Sequence, residues 1–290
     1  VPLFSPRFHP GHRVQLLQGA QELFPALVRA MDAARTSVLL ETYIFDTTGA
    51  GADIARALAR AAARGVRTQL VVDGVGTGQL PAHWFAHLRS AGVQVRVYAP
   101  LGPLGLLLPG QWRRLHRKLC VVDGTVLFCG GINILDDFHD PHFGALPAPR
   151  FDFAVRTEGA LAAQAQATME QLWWRLQAVH DARHYHLPQA VQALREAAVG
   201  LHMGMGQRTR SRTRAHSAHG LGMRAALLLR DNLRHRSRIE RAYRRAIAMA
   251  REDIIIANAY FLPGGKLRRA LVLAAQRGVR VRLLLQGRYE

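Results

Sequence analysis

LHRKLCVVDGTVLFCGGIN, residues 115–133, sets a histidine and a lysine two positions apart at the head of an apolar run, turns on Asp123 and Gly124, and closes on Gly130, Gly131, Ile132 and Asn133. The runs LHRKLCVV and TVLFCGG are β-prone, and Asp-Gly between two such runs is a strong two-residue hairpin signal. Side chains alternate faces along a strand, so His116 and Lys118 are predicted to project from one side. Gly130 and Gly131 remove side chains where the partner strand ends, which lets a backbone or a ligand approach closely, and Asn133 follows on the exit. One imidazole, one ammonium, one carboxamide and exposed backbone amides converge on a small volume. No nearby acid or cysteine set suggests a metal, and the inventory suits an anionic oxygen cluster such as a phosphodiester.

On either side of this stretch the hydrophobic period alternates between helix and strand. QELFPALVRAMDAAR predicts a helix with Leu23, Leu27 and Met31 on one face, followed by a buried strand SVLLETYIF. The order repeats with a helix over ADIARALARAAARG before the strand VRTQLVVDG, and a helix near PAHWFAHLRSAG before VQVRVYAP. After a loop at 136–150 come the strand FDFAVRT and a helix from about 160 to 179 carrying Trp173 and Trp174. Such alternation implies an α/β fold, a parallel or mixed sheet covered by helices on both faces.

The chain also repeats itself. AAARGVRTQLVVDG (61–74) returns as LAAQRGVRVRLLLQG (273–287), and ARTSVLLETYIF (34–45) as AREDIIIANAYF (250–261). Order is kept and spacing nearly so, as in a duplicated domain rather than a short-period solenoid. Between the copies, the segment containing HMGMGQRTRSRTRAHSAHG lacks periodicity and reads as a linker or mobile arm. The predicted organisation is a first domain over 1–180, a basic linker over 181–222 and the start of a second copy over 223–290. The chain begins at Val1 and stops at LLLQGRYE after an apparent strand, as a fragment open at both ends would. By the spacing of the first copy, the second equivalent of His116 would fall at about position 329.

The 290 residues suffice for one large domain or two ordinary ones. With 39 Lys and Arg against 20 Asp and Glu, the formal charge is +19, which calls for a polyanionic partner: nucleic acid, an anionic membrane surface or a phosphorylated substrate. Cys120 and Cys129 are too few for a disulfide framework and fall two places out of register across a two-residue turn, so a reduced, cytoplasmic setting is the simpler reading. No apolar run approaches the ~18–20 residues that span a bilayer.

His116-x-Lys118, four residues, Asp123, six residues, then Gly130-Gly131-x-Asn133 resembles the phospholipase D superfamily motif at every position. The duplication fits the same superfamily, whose larger members build one active site from two such motifs. ETYIF, LHRKLCVVDG, GGIN and FDFAVRTEG are most similar to bacterial cardiolipin synthases, particularly short forms without N-terminal membrane helices. The resemblance implies a phospholipase D-like mixed sheet flanked by helices, duplicated with an incomplete second copy. It also implies phosphatidyl transfer through a phosphohistidine, with no metal or other cofactor, on anionic phospholipid at the cytoplasmic side of the bacterial inner membrane. Rival readings are a superfamily nuclease or phosphodiesterase, disfavoured by the visible start of a second copy, and a noncatalytic scaffold that binds membrane or nucleic acid.

In the transfer reading His116, Lys118 and Asn133 are catalytic, and Gly130 and Gly131 face substrate. Asp123 is either a catalytic acid or ordinary turn chemistry. Asp152, at the start of FDFAVRT, is implied by related nucleases to orient the imidazole of His116, the alternative being a surface strand carboxylate. Glu41, inside an apolar strand, is either paired with a basic residue of the site and near substrate or simply at the strand's exit; its counterpart in the repeat is Ala257. Leu106, Leu107, Trp112, Arg113 and Arg114 form an apolar wedge edged by Trp and Arg, suited either to an interfacial membrane contact or to packing on its own domain. His180, His184 and His186 lack the acid or cysteine spacing of a metal site.

Overall fold

The computed structural model describes residues 6–100, 114–140, 144–183, 189, 191–196, 198, 222–229, 237–259 and 261–285. In chain order the first elements are β1 (His9–Gln18), α1 (Gly19–Ala33), β2 (Ser37–Thr42), α2 (Gly51–Ala63), β3 (Arg67–Asp73), α3 (Ala82–Ser90) and β4 (Gln94–Tyr98). There follow β5 (Leu119–Val122), β6 (Val126–Gly130), β7 (His139–Asp140), β8 (Gly144–Ala145), β9 (Phe153–Glu158), α4 (Ala160–Arg183) and β10 (Met223–Ala225). The last are α5 (Arg238–Met249), β11 (Asp253–Asn258), α6 (Gly265–Gln276) and β12 (Arg280–Leu285). The chain divides into two compact units, Pro10–Ala225 and Ala226–Glu290 with Val1–His9.

Eight strands of the larger unit form one mixed sheet in the order β10-β1-β9-β6-β5-β2-β3-β4. β2, β3 and β4 pair in parallel; β5 joins β2 antiparallel, and β6, β9 and β1 continue antiparallel. Every residue of β2 and of β5 is buried, as expected for central strands covered on both faces. One face packs Val38, Leu40, Leu70, Val72, Cys120 and Phe128 against the apolar stripes of α1, α2 and α3, including the predicted Leu23, Leu27 and Met31. α4 covers the other, where Trp173 meets Val71 and Leu115.

The hairpin departs from the predicted turn. Val122 pairs with Val126 and Leu119 with Cys129, so three residues, 123–125, make the loop. Asp123 and Gly124 both take positive φ, at 50° and 64°. The register therefore moves by one: Cys120 lies opposite Phe128, one place rather than two from Cys129, and both cysteines are free thiols. Two edges also differ from expectation. β1, ten residues long, has no periodic signal in HPGHRVQLLQ, and Met223–Ala225, predicted to open the second copy, forms an edge strand of the large sheet. The predicted linker lies mostly outside the described residues.

The smaller unit repeats the first copy in backbone detail. β11 and β12 pair in parallel with Asp253 opposite Arg280, as Ser37 lies opposite Arg67 in β2 and β3. In each copy a glycine at positive φ, Gly65 or Gly278, ends the helix before the second strand. In each the arginine before it donates to the end of the preceding helix: Arg64 Nη2 to Met31 O at 2.8 Å, Arg277 Nη2 to Ile247 O at 3.1 Å. A small core of Ile247, Ile254, Leu271, Ala274 and Val279 holds this unit.

Candidate active site

His116 and Lys118 stand on the segment leading into β5, one alternation apart, and the pair is in contact. Lys118 Nζ lies 3.2 Å from His116 Nδ1 and donates to His116 O at 3.2 Å. Tyr43, on the exit of β2, sits against both: its ring centroid is 5.0 Å from that of His116, and Lys118 Nζ lies 5.5 Å from the ring centre. Partial burial lowers the pKa of His116, reinforced by the Lys118 charge and opposed by Asp73. Burial also lowers Lys118 to about 8, opposed by Asp152. The imidazole is thereby held neutral near pH 7, and the ammonium is held close to its own titration.

Asp152 enters from the start of β9. Its carboxylate occupies the space that a side chain on Gly131 would need, since a Cβ there would lie 2.4 Å from Oδ1. Gly130 makes the same allowance for β9 itself: its Cβ would come 2.5 Å from Ala154 Cα. Gly130 thus admits the backbone of β9, and Gly131 admits the side chain of Asp152. Their amides are engaged within the sheet, Gly131 donating to Phe153 O at 3.0 Å and Gly130 to Lys118 O at 3.4 Å, rather than offered to a ligand. The charge of Asp152 acts on Lys118 and on Asp137, and that of Asp73 acts on His116. Asn133 accepts the Ile44 N–H at 3.1 Å through Oδ1, which fixes its amide and leaves Nδ2 as the donor end.

Two acids have other employment. Asp123 lies at the turn end of the hairpin, where its carboxylate accepts from the N–H groups of Arg35, Thr36 and Ser37 and from the Thr36 hydroxyl. Although burial opposes them, these bonds hold its pKa below the usual carboxylate range. These bonds are the ones the turn alternative calls for, made at the end of β5 opposite to His116. Glu41 is 1% exposed on β2 and lies 2.8 Å from Arg117 Nη2, an ion pair without the angle of a hydrogen bond. Burial raises it to about 7 against the pull of Arg117.

Of the apolar wedge, Leu106, Leu107, Trp112 and Arg113 lie outside the described residues. Arg114 is described, and its guanidinium donates to Ala99 O at 3.1 Å. His184 and His186 are likewise outside. Among the described residues no group of three or more His, Cys, Asp or Glu side chains is placed to hold a metal ion. Lys118, Glu41, Thr42 and Gly130 border a cavity of only about 20 Å³, whereas a groove of about 480 Å³ opens between α1, α2 and 136–138, away from the motif.

Sequence reasoning misses Asp73, Tyr43 and Arg117, which reach the centre from the ends of β3, β2 and the motif itself. The signal for Asp73 is an acid closing an apolar strand just before a glycine, in VVDG, at the carboxyl end of a parallel strand where α/β sheets place their sites.

A paired histidine and lysine at the mouth of a central hairpin, a glycine pair cleared for an acid, and a mixed sheet begun a second time define a phospholipase D-like protein. The family described as cardiolipin synthase, PLD-like domain, matches residues 27–173, half of the chain. This chain belongs to that family. It is 33% identical over 286 residues to cardiolipin synthase B of Escherichia coli strain K12, covering 96% of this chain and 60% of that protein. It is 34% identical over 286 residues to cardiolipin synthase B of Salmonella typhi, with the same coverage. The chain thus spans about 60% of the length of these relatives. Among solved structures, Nuc of Salmonella typhimurium, a phospholipase D family member, matches with 21% identity and a TM-score of 0.41 over 56% of this chain and 95% of its own.

Proposed function

We propose that this chain carries the first half-site of a phosphatidyltransferase that joins two phosphatidylglycerol molecules into cardiolipin and releases glycerol. The observation that carries the reading is the 3.2 Å pair of His116 and Lys118, a neutral imidazole beside an ammonium at the end of a buried strand. Similarity to cardiolipin synthase B along 96% of the chain supports the choice of substrate.

His116 attacks the phosphorus of the first phosphatidylglycerol; an N–P bond forms as the bond to the glycerol headgroup oxygen breaks. Lys118 donates one N–H to His116 O and lies 3.2 Å from His116 Nδ1; of its three N–H donors at least one is left for a nonbridging oxygen. Asn133 Nδ2 adds a second donor as charge moves through the transition state. A second imidazole, from the corresponding motif of the repeated domain, protonates the leaving oxygen and later takes the proton of the attacking hydroxyl. The headgroup hydroxyl of the second phosphatidylglycerol then attacks phosphorus, breaks the N–P bond and frees His116. No step uses a metal or other cofactor.

The partner is an anionic phospholipid surface, met peripherally at the cytoplasmic face of the bacterial inner membrane; no described helix is long and apolar enough to cross one. Nucleic acid has no part in this reading. The test incubates full-length protein, and His116→Ala in the same background, with phosphatidylglycerol vesicles and separately with single-stranded DNA. Cardiolipin and glycerol from the parent, and a loss of at least a hundredfold in the variant, are expected. DNA cleavage without lipid product, or near-parent turnover by His116→Ala, would overturn it.

A further inference from the structure

The carboxylate of Asp73 is wholly buried and takes no part in the chemistry above, yet two of the three hydrogen bonds it accepts lead toward His116. Oδ2 accepts the Leu115 N–H at 2.8 Å, which fixes the residue immediately before the histidine. Oδ1 accepts from Val75 at 2.8 Å and Gly76 at 3.1 Å. Gly76 in turn seats Tyr43, since a Cβ there would lie 2.5 Å from Tyr43 O and 2.7 Å from its ring. Thr77 closes the loop: its N–H donates to Asp73 O at 3.1 Å, its hydroxyl donates to Tyr43 O at 2.9 Å and accepts the Phe45 N–H at 3.0 Å. Tyr43 is the ring that lies against the imidazole. An acid without exposure is costly unless fully bonded, and two of the three donors to this one, Leu115 and Gly76, lie next to His116 in the chain or against the Tyr43 ring. The matching position of the second copy is Gln286, an uncharged amide.

We propose that Asp73 is a positioning residue for His116, holding the backbone ahead of it through Leu115 and, through 75–77, the Tyr43 ring beside it. The inference rests on the role given to His116 above, so its first readout is independent of turnover. In the full-length protein with isotope-labelled histidine, the His116 resonances are followed against pH in the parent and in Asp73→Asn. Asn keeps the shape but loses one acceptor and the charge. Of the charged groups acting on this imidazole, Lys118 remains and Asp73 is removed, so His116 is expected to titrate at lower pH. In turnover, kcat is expected to fall roughly ten- to a hundredfold with KM nearly unchanged, as for a misplaced reacting group, and the acid limb of the rate profile should move to lower pH.

If Asp73→Asn does not fold by circular dichroism, Gly76→Ala displaces Tyr43 with the carboxylate intact; shifted His116 ring resonances and a kcat loss in the same direction are expected. A folded Asp73→Asn with parent titration and rate profile would make the residue scaffold only and overturn the proposal, however much its Tm fell. So would parent resonances and kcat in Gly76→Ala if that variant alone folds. Absence of turnover in the parent would count against phosphatidyl transfer and leave the titration result standing.

Discussion

His116 must be neutral to attack and Lys118 charged to hold the phosphate, and their environments set opposite limits on pH. The histidine's pKa is lowered, so the deprotonated nucleophile survives below its ordinary range; the lysine's falls to about 8, so the clamp is lost above that. Plotted against pH, kcat/KM of the full-length enzyme should form a bell with its acid limb below pH 6.5 and its alkaline limb near 8. Activity still rising at pH 9.5 would remove Lys118 from the rate. Glu41 gives a stability counterpart. Its folded pKa is raised from 4.5 to about 7, so the native state binds the proton more tightly than the unfolded chain. Its stabilising contribution is therefore full below pH 4.5 and is lost as pH rises to 7, by about 3 kcal/mol. Glu41→Gln should flatten that slope and raise Tm at pH 8, measured by thermal unfolding; an equal slope in both proteins would place the linkage elsewhere. The sequence makes legible the residues that share one short stretch, His116, Lys118 and Asn133. It leaves open which use Glu41, Asp123 and the glycines have, because those are fixed by Arg117, by the start of β2 and by β9, all brought up by folding.

At the scale of elements, the alternating period marks the central helices and strands because they bury one stripe or both faces. It fails for β1, at once exposed and irregular in pattern, and for the length of the hairpin loop. There the Asp-Gly pair locates the turn, but its geometry is set from outside: Asp123 N–H donates to Ser37 O at 2.9 Å while its carboxylate gathers the amides of 35–37. Asp123 is thus the rivet between the hairpin and the beginning of β2. Asp123→Ala leaves three backbone donors without that acceptor and puts alanine at positive φ, and should cost on the order of 1–3 kcal/mol in urea unfolding. Where the variant is folded, kcat should stay within about twofold of the parent, since nothing at the turn touches phosphate. A hundredfold loss of kcat at full stability would restore the catalytic alternative. The duplication is legible for the opposite reason. The arginine and glycine that join helix to strand in both copies serve the backbone locally, so AARG and AQRG carry the repeat without help from distant residues.

The whole molecule is read through its charge. The excess of 39 basic over 20 acidic residues is 19, and many acids are already committed: Asp32, Asp53, Asp140, Glu158, Glu170, Glu240 and Asp253 all pair with arginine. The surplus is positive and lies mostly beyond residue 180, where 22 basic residues face 7 acidic ones, and an anionic bilayer rewards it at about 1 kcal/mol for each Lys or Arg brought near the surface. Two or three net contacts already shift partitioning by roughly thirty- to a hundredfold, given 1.4 kcal/mol per decade. That attraction is screened over about 10 Å at 0.1 M salt and about 3 Å at 1 M. Sedimentation with vesicles containing phosphatidylglycerol should therefore show strong binding at 0.1 M salt that falls at least tenfold by 1 M, a loss of about 1.4 kcal/mol. Pure phosphatidylcholine vesicles should bind little at either. A remainder at 1 M salt would measure apolar insertion, and Trp112→Ser should diminish that remainder if the 106–114 wedge supplies it. Equal binding to both lipids at every salt concentration would mean that the charge serves another polyanion, and the lipid-surface assignment would fall even with the half-site chemistry intact.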